Sequence, residues 1–281
     1  MACSIILHGA CGRVGKAIGK RVCNDDSCVL SACCEYPGHP DTGKPYNSVI
    51  GVDTTLPEIA TSLESVDFRT SCIIDFSSPE GTRNLAGYLT SMKNEDLPAG
   101  MVVGTTGLEN HDIHALQEVS RRFPVLFSPN MSFGINYLFF LCKHAAETLG
   151  PAFDVEIIEA HHGNKVDAPS GTARKCAEII ADARHLVYDK DMRHGRVGMV
   201  GKRSKDEIGI HAVRGGDIVG DHTILFAGSG ERLEFRHQAH SRETFAQGAV
   251  SAARWIVEQQ PGFYSMQDML GLNSGALCTE Q

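Results

Sequence analysis

The chain has 281 residues, 42% hydrophobic and 21% charged, a composition that fits a folded globular protein and excludes a disordered one. Its formal net charge of −8 argues against nucleic acid or an anionic membrane as partner, since both call for a positive face. Ten cysteines include no C-x-x-C pair, and the N-terminus has no apolar run long enough for a signal peptide or a bilayer span, so a reduced, cytoplasmic protein is expected.

The first predicted element is the β-rich run Ser4 to Leu7. Glycines follow at 9, 12 and 15, and Val14, Ile18 and Val22 then recur at helical spacing. Strand, glycine turn and helix together suit a pyrophosphate, because glycine lets backbone N–H groups approach the anion at the helix start. The spacing is G-x-x-G-x-x-G, with Cys11 where the usual motif has its middle glycine, and a plain tight turn explains it about as well. A second strand, CVLSACCE, ends at Glu35, about where an acidic residue binds the adenosine ribose in this arrangement. The Gly- and Pro-rich stretch from Tyr36 to Asp53 reads as a long surface loop without a role. SCIIDF is a buried strand followed by a helix capped by Ser78, with Pro79 in its first turn. AGMVVGTTGL and FPVLFSPN add two more strands. Strands alternating with helices imply a parallel sheet whose ligands bind beyond the carboxyl ends, where Asp75, Gly104–Gly107 and Ser128–Asn130 fall.

The second half differs. SFGINYLFFLCKHAAETLG reads as a helix and DVEIIEAH as a buried strand. Another helix starts at Gly171 and Thr172, capped by Ser170. The basic stretch over 189–207 reads as a solvated loop. Three β-runs over 208–240, separated by RGG and GSGE, read as an antiparallel meander, and a final helix follows. The most chemically loaded segment is EAHHGNKVDAPSGT, residues 159–172. His161 and His162 can serve one pocket only if the chain leaves the strand there, which Gly163 permits. Lys165 adds a positive charge, and the N–H groups of Gly171 and Thr172 open a helix. This set suits a small ligand bearing carboxylates and offers proton donors to a reacting atom. No metal site is expected, because adjacent histidines rarely chelate one ion and the lysine repels it.

The chain resembles the 4-hydroxy-tetrahydrodipicolinate reductase (dihydrodipicolinate reductase) family. The resemblance rests on GACGRVG, DFSSPEGT, GTTG, SPNMSFGIN, EAHHGNKVDAPSGTA, RGGDIVGDHT and SRETFAQGA, which occur in the family's order. It implies an α/β protein: a Rossmann-like, parallel-sheet dinucleotide-binding domain over 1–131, and an α+β substrate-binding and tetramerisation domain with an open mixed sheet over 132–240. A C-terminal helical segment over 241–281 would return to the first domain. The implied activity is NAD(P)H-dependent reduction of a cyclic imine dicarboxylate to tetrahydrodipicolinate in lysine (diaminopimelate) biosynthesis, by hydride delivery to ring carbon C4 and protonation of the adjacent carbon.

By the same resemblance, Gly9, Ala10, Cys11, Gly12, Arg13 and Val14 hold the pyrophosphate and Glu35 the adenosine ribose. Gly104, Thr105, Thr106, Ser128, Pro129, Asn130 and Met131 surround the nicotinamide and its ribose. His161 and Lys165 are catalytic, while His162, Gly171 and Thr172 bind the dicarboxylate. The implied assembly is a homotetramer. Three positions depart from the family pattern. Tyr36 replaces an arginine that meets a 2′-phosphate in many relatives, leaving NADH at least as favoured as NADPH unless Arg13 or Lys44 compensates. Val200 replaces a common loop arginine, so that loop receives no substrate contact, and Cys11 adds a side chain to the glycine turn. Two other readings fit parts of the pattern: a dehydrogenase of another amino-acid-like dicarboxylate, and a non-catalytic dinucleotide sensor.

Overall fold

The structure, a computed structural model, describes residues 2–63 and 66–273. The chain divides into two compact units, Met1–Phe133 with Arg242–Gln281, and Gly134–Ser241.

The first unit starts as alternating strands and helices. These are β1 (Cys3–His8), α1 (Arg13–Cys23), β2 (Cys28–Cys34), a short α2 (Tyr46–Ile50), β3 (Ile59–Ala60), β4 (Ser71–Asp75), α3 (Pro79–Ser91), β5 (Gly100–Val103), α4 (Asn110–Ser120) and β6 (Pro124–Phe127). Strands buried on both faces read as continuous apolar runs, and β1 shows why. Ile5 and Leu7 join the core under α1, whereas Ile6 joins the one under α3 and α4. Ser78 caps α3 by accepting from the Gly81 amide, with Pro79 at the first helical position.

The second unit begins with α5 (Phe133–Leu149), whose first residue belongs to the first unit. There follow β7 (Asp154–His161), α6 (Gly171–Ala183), α7 (Tyr188–Asp191), β8 (Met192–His194), β9 (Ile208–Arg214), β10 (Gly220–Ala227) and β11 (Arg232–Ala239). The strand order is β11-β10-β7-β9-β8. β10 is antiparallel to both β7 and β11, while β7, β9 and β8 are parallel. The sheet is therefore mixed, as expected, but its last three strands are not a meander. β7 lies between β9 and β10 because the RGG loop folds along the end of β7. Gly215 N–H donates to the His161 carbonyl (2.9 Å) and His162 N–H to the Ile218 carbonyl (2.7 Å). On one face Val155, Ile157, Ile208, Ile210, Ile224 and Phe226 meet α5 and α6. On the other, Ile158 and Val213 are exposed.

The stretch over 189–207 is more ordered than a solvated loop. It contributes β8, and its Arg196 and Arg203 both donate to Glu156 on β7, at 2.7 Å and 3.0 Å. Burial pushes the Glu156 carboxyl up, but these arginines and His211 outweigh it and hold the group at about 2.

The chain then returns to the first unit as α8 (Glu243–Ile256), β12 (Gly262–Tyr264) and α9 (Met266–Met269). β12 completes a seven-stranded, fully parallel sheet in the order β12-β6-β5-β4-β1-β2-β3. α8 lies beside α1 on one face, burying Ala249, Val250, Ala253 and Ile256 in the same core. Nine described cysteines are free thiols, six of them buried. Cys278 and the end of the predicted 241–281 segment lie outside the described residues. Among the described residues no helix is long and apolar enough to cross a membrane.

Candidate active site

In the first unit a cavity of about 590 Å³ opens at the carboxyl ends of β1, β2 and β4. Gly9, Gly12 and Glu35 line it. Gly9 has φ +79°, and a Cβ there would come within 2.5 Å of the Phe76 carbonyl oxygen; one at Gly15 would overlap the Gly9 carbonyl. Both positions thus demand glycine, whereas a Cβ at Gly12 meets only the Gly9 carbonyl oxygen, at 3.4 Å. Helix α1 starts at Arg13 with no side-chain cap and no acidic residue in its first turn. Its N–H groups and partial positive charge are what a pyrophosphate needs. The dinucleotide therefore fits this chain: a cradle that two side chains would fill, an uncapped helix start, and a buried carboxylate beside them.

That carboxylate is Glu35. Its two oxygens accept from the Cys11 amide (2.8 Å) and the Tyr36 amide (3.2 Å), which aims it at the cavity. Cys11 donates its backbone to this contact, while burial and the Glu35 charge push its thiol up to about 11. Ala10 is fully buried, and Arg13 projects to solvent. The loop from Tyr36 to Asp53 is not the inert surface loop expected. Tyr46 is fully buried, and its hydroxyl is shared between the Ala10 (2.8 Å) and Gly15 (3.0 Å) carbonyls. It clamps the glycine turn from below, a role hidden because its partners are backbone atoms about thirty residues away.

Asp75, at the end of β4, is fully buried. It accepts from His8 Nδ1 (3.0 Å), the Ser77 amide (3.1 Å) and hydroxyl (2.6 Å), and the Thr82 hydroxyl (2.5 Å). Burial raises its pKa, but these bonds and the His8 imidazole outweigh it, so the carboxyl stays below its ordinary value. Thr105 is buried and its hydroxyl accepts from the Ser77 amide (3.1 Å). Thr106 and Pro129 are exposed. The Ser128 hydroxyl donates to the Asn130 carbonyl (2.7 Å), and the Met131 side chain is buried in the core. These loops end β5 and β6 outside the lining of the cavity.

In the second unit the loaded segment converges on a residue the sequence did not single out. Glu159 is fully buried at the end of β7. It accepts from His161 Nδ1 (2.6 Å), both terminal nitrogens of Arg214 (2.8 Å each) and the Ser170 amide (3.0 Å). Burial raises the Glu159 pKa, but Arg214, His161 and the amide more than reverse that. Arg214 supplies the counter-charge, so His161 need not. Burial, reinforced by Lys165 and Arg214, holds the imidazole below its ordinary pKa despite the Glu159 contact. The pair is therefore a carboxylate and a neutral histidine with its proton on Nδ1. A Cβ at Gly220 would sit 3.0 Å from His161 Nε2, so glycine there leaves this nitrogen uncovered.

Lys165 is held by both carboxylate oxygens of Asp167, at 2.7 and 2.9 Å. Ser170 caps α6 through the Ala173 amide (3.2 Å), and its hydroxyl also meets His222 Nε2 (3.0 Å). His222 is buried and packs edge-on against His161; burial and that neighbour push it down to about 4. Open space surrounds the Cβ position of Gly171, so none of the described residues requires glycine there. The structure thus groups His161, Lys165, Ser170 and the start of α6 around Glu159. His162 joins through its backbone, and its Nδ1 is buried without a partner among the described residues. The missed members, Glu159, Arg214 and His222, all lie in the quoted EAHH and RGGDIVGDHT segments, and a buried Glu two residues before a histidine was the available signal.

Comparison with known proteins agrees with this architecture. Residues 3–131 match the family model for the N-terminus of dihydrodipicolinate reductase, and residues 134–270 match the model for its C-terminus. The 4-hydroxy-tetrahydrodipicolinate reductase of Nitrosomonas europaea is 44% identical, over 96% of this chain and 98% of its own. That of Thiobacillus denitrificans is 42% identical, over 97% of this chain and all of its own. A dipicolinate-bound dihydrodipicolinate reductase from Paenisporosarcina sp. TG-14 shares the fold at a TM-score of 0.75 and 24% identity, covering 96% of this chain and all of that one. An amine dehydrogenase from Mycobacterium smegmatis shares it more distantly, at a TM-score of 0.57 and 10% identity over 95% of each chain. Both halves are matched in order along one chain, and relatives align over nearly its whole length, so the protein belongs to the dihydrodipicolinate reductase family of oxidoreductases.

Proposed function

We propose that the protein reduces the cyclic imine dicarboxylate 4-hydroxy-tetrahydrodipicolinate, or its dehydrated form, to tetrahydrodipicolinate in lysine biosynthesis. The arrangement at the end of β7 carries this reading: a neutral imidazole on a fixed carboxylate, a lysine, and a helix start with a neutral cap. Two substrate carboxylates suit Lys165 and the N–H groups of Gly171 and Thr172, with Ser170 and His162 beside them. NADH or NADPH, when bound, supplies the hydride. The chain's residues handle charge and proton. Lys165 stabilises the negative charge that reduction creates, an effect enlarged where water is excluded. It is also the proton source, since His161 carries its one proton on Nδ1 toward Glu159. His161 Nε2, which carries no proton, is an acceptor that orients the lysine, and solvent reprotonates Lys165 after turnover.

Gly9 to Val14 hold the pyrophosphate and Glu35 the adenosine ribose. Backbone from Gly104 to Thr106 and from Ser128 to Met131 borders the nicotinamide end. Lys44 is neutralised by Asp41 at 2.7 Å and Tyr36 is exposed, which favours NADH at least as much as NADPH. The exposed Ile158 and Val213 on the outer face of this sheet support assembly of copies into a homotetramer through it, to be read by light scattering. Free thiols throughout the described residues fit the cytoplasm.

The test is oxidation of NADH and NADPH with freshly generated cyclic imine. Wild-type protein turns over, and Lys165→Ala loses at least ~100-fold in turnover while NADH affinity is kept. Near-normal turnover in that variant contradicts the assignment. Turnover only with another dicarboxylate favours the alternative dehydrogenase.

A further inference from the structure

Helices α5 and α6 cover one face of the second sheet, and on that face β10 presents Phe226 and Ile224 to the core. The next residue in the row is His222, 4% exposed and directly across from Glu159 on β7. An imidazole costs stability there unless both nitrogens have partners. Only one has. Nε2 lies 3.0 Å from Ser170 Oγ, whereas Nδ1 is buried without a partner among the described residues. Burial keeps the ring neutral, and its two tautomers differ in what they orphan. With the proton on Nδ1, a buried N–H is left with no acceptor. With it on Nε2, only a bare lone pair is left, the less costly fault. The ring therefore donates Nε2–H to Ser170 Oγ. That oxygen also accepts from the Ala173 amide at 3.2 Å. Both its lone pairs are then taken, and the hydroxyl hydrogen has no acceptor among the described residues.

We infer that His222 is a positioning residue for dicarboxylate binding: by filling the acceptor side of the Ser170 hydroxyl, it turns that O–H toward a substrate carboxylate at the start of α6. This rests on the dicarboxylate reading above. Ser170 is well held for the task. Its amide donates to Glu159 at 3.0 Å and its oxygen caps α6, so backbone and side chain are both fixed before a ligand arrives. An O–H oriented in advance adds a hydrogen bond to a carboxylate without adding charge. Leucine at 222 would fill the same space but let the hydroxyl rotate about its C–O bond, and each ligand would then bear the cost of ordering it. His222 also packs edge-on against His161, with ring centroids 5.2 Å apart, so the same ring limits how far the proposed catalytic imidazole can tilt.

The experiment measures binding of dipicolinate, a planar dicarboxylate, to NADH-saturated protein by calorimetry, together with steady-state turnover of the cyclic imine. His222→Leu weakens dipicolinate about tenfold, the size of one hydrogen bond to a charged group, and raises KM more than it lowers kcat. His222→Gln, whose amide nitrogen reaches the Nε2 position, brings affinity back to within about threefold of wild type. Ser170→Ala weakens dipicolinate as much as His222→Leu, and the double variant binds no more weakly than Ser170→Ala alone, because His222 acts through that hydroxyl. NADH affinity holds in all of them, which a general loss of folding would not allow. Equal affinity in His222→Leu and wild type, no recovery in His222→Gln, or additive losses in the double variant overturns the inference while leaving the dicarboxylate site standing. Should His222→Leu not fold, nitrogen NMR of histidine-labelled wild-type protein decides: a proton on His222 Nε2 supports the inference and one on Nδ1 overturns it. Wild-type protein that neither binds dipicolinate nor turns over the cyclic imine overturns the proposed function as well.

Discussion

In the proposed function the glycine turn of the first unit and the 159–172 segment of the second both receive anions, yet they are built differently. The turn is mostly backbone: two glycines whose missing side chains make room, an uncapped helix, and a tyrosine bracing carbonyls from beneath. The 159–172 segment is mostly side-chain charge, held in place by a buried carboxylate and an arginine supplied by β9. A backbone cradle fails when space is filled. A charged cradle fails when one partner of a buried set is removed or changes protonation. The two should therefore respond to different perturbations.

The largest effect falls on the charged cradle. Glu159→Ala leaves Arg214 without its partner and frees His161, and about 3 kcal/mol of stability is lost, measured by urea unfolding. Turnover falls as well, while ADP-ribose affinity in the other unit is unchanged. A loss below about 1 kcal/mol would show that Glu159 is not the hub. Protonation comes next. His222 resists protonation in the folded state down to about 4, whereas an unfolded histidine takes its proton near 6.5. Its contribution is thus complete above pH 6.5 and drains away as pH falls to 4, by about 3 kcal/mol in all. Melting temperature followed over that window should show a steeper acid fall in wild-type protein than in His222→Gln. Equal slopes would sink the assignment.

The backbone cradle is broken by volume. Gly15→Ala overlaps the Gly9 and Ala10 carbonyls and is expected to cost about 2 kcal/mol with a matching loss of NADH affinity. Gly12→Ala meets one oxygen at 3.4 Å and should be close to neutral in unfolding. If the two variants behave alike, steric demand is not what selects these glycines. The smallest effect is Tyr46→Phe, which removes one shared hydroxyl and should lower stability by about 1 kcal/mol. Unchanged unfolding there would mean that the ring alone supports the turn.

The difference also governs what could be read in advance. Gly9 and Gly15 announced a tight turn because glycine is the only residue that fits where a Cβ has no room. The alternation of strand and helix announced the parallel sheet for the same local reason: apolar spacing is set by whichever element buries it. Tyr46 and His8 went unread, because each acts on atoms brought near by the fold, through helix packing for Tyr46 and sheet pairing for His8, rather than by chain proximity. The meander over 208–240 was misread because turn residues show where a strand ends and not which strand it joins.

What the sequence by itself determined is the set of elements, the glycine turn, and the concentration of donors after β7, since each is written in neighbouring residues. Only the tertiary structure decided that β7 enters the sheet between β9 and β10, bringing Arg214 onto Glu159 and His222 onto Ser170. The protonation states of His161 and Asp75 follow from those long-range neighbours and from burial, quantities that exist only once the chain has folded.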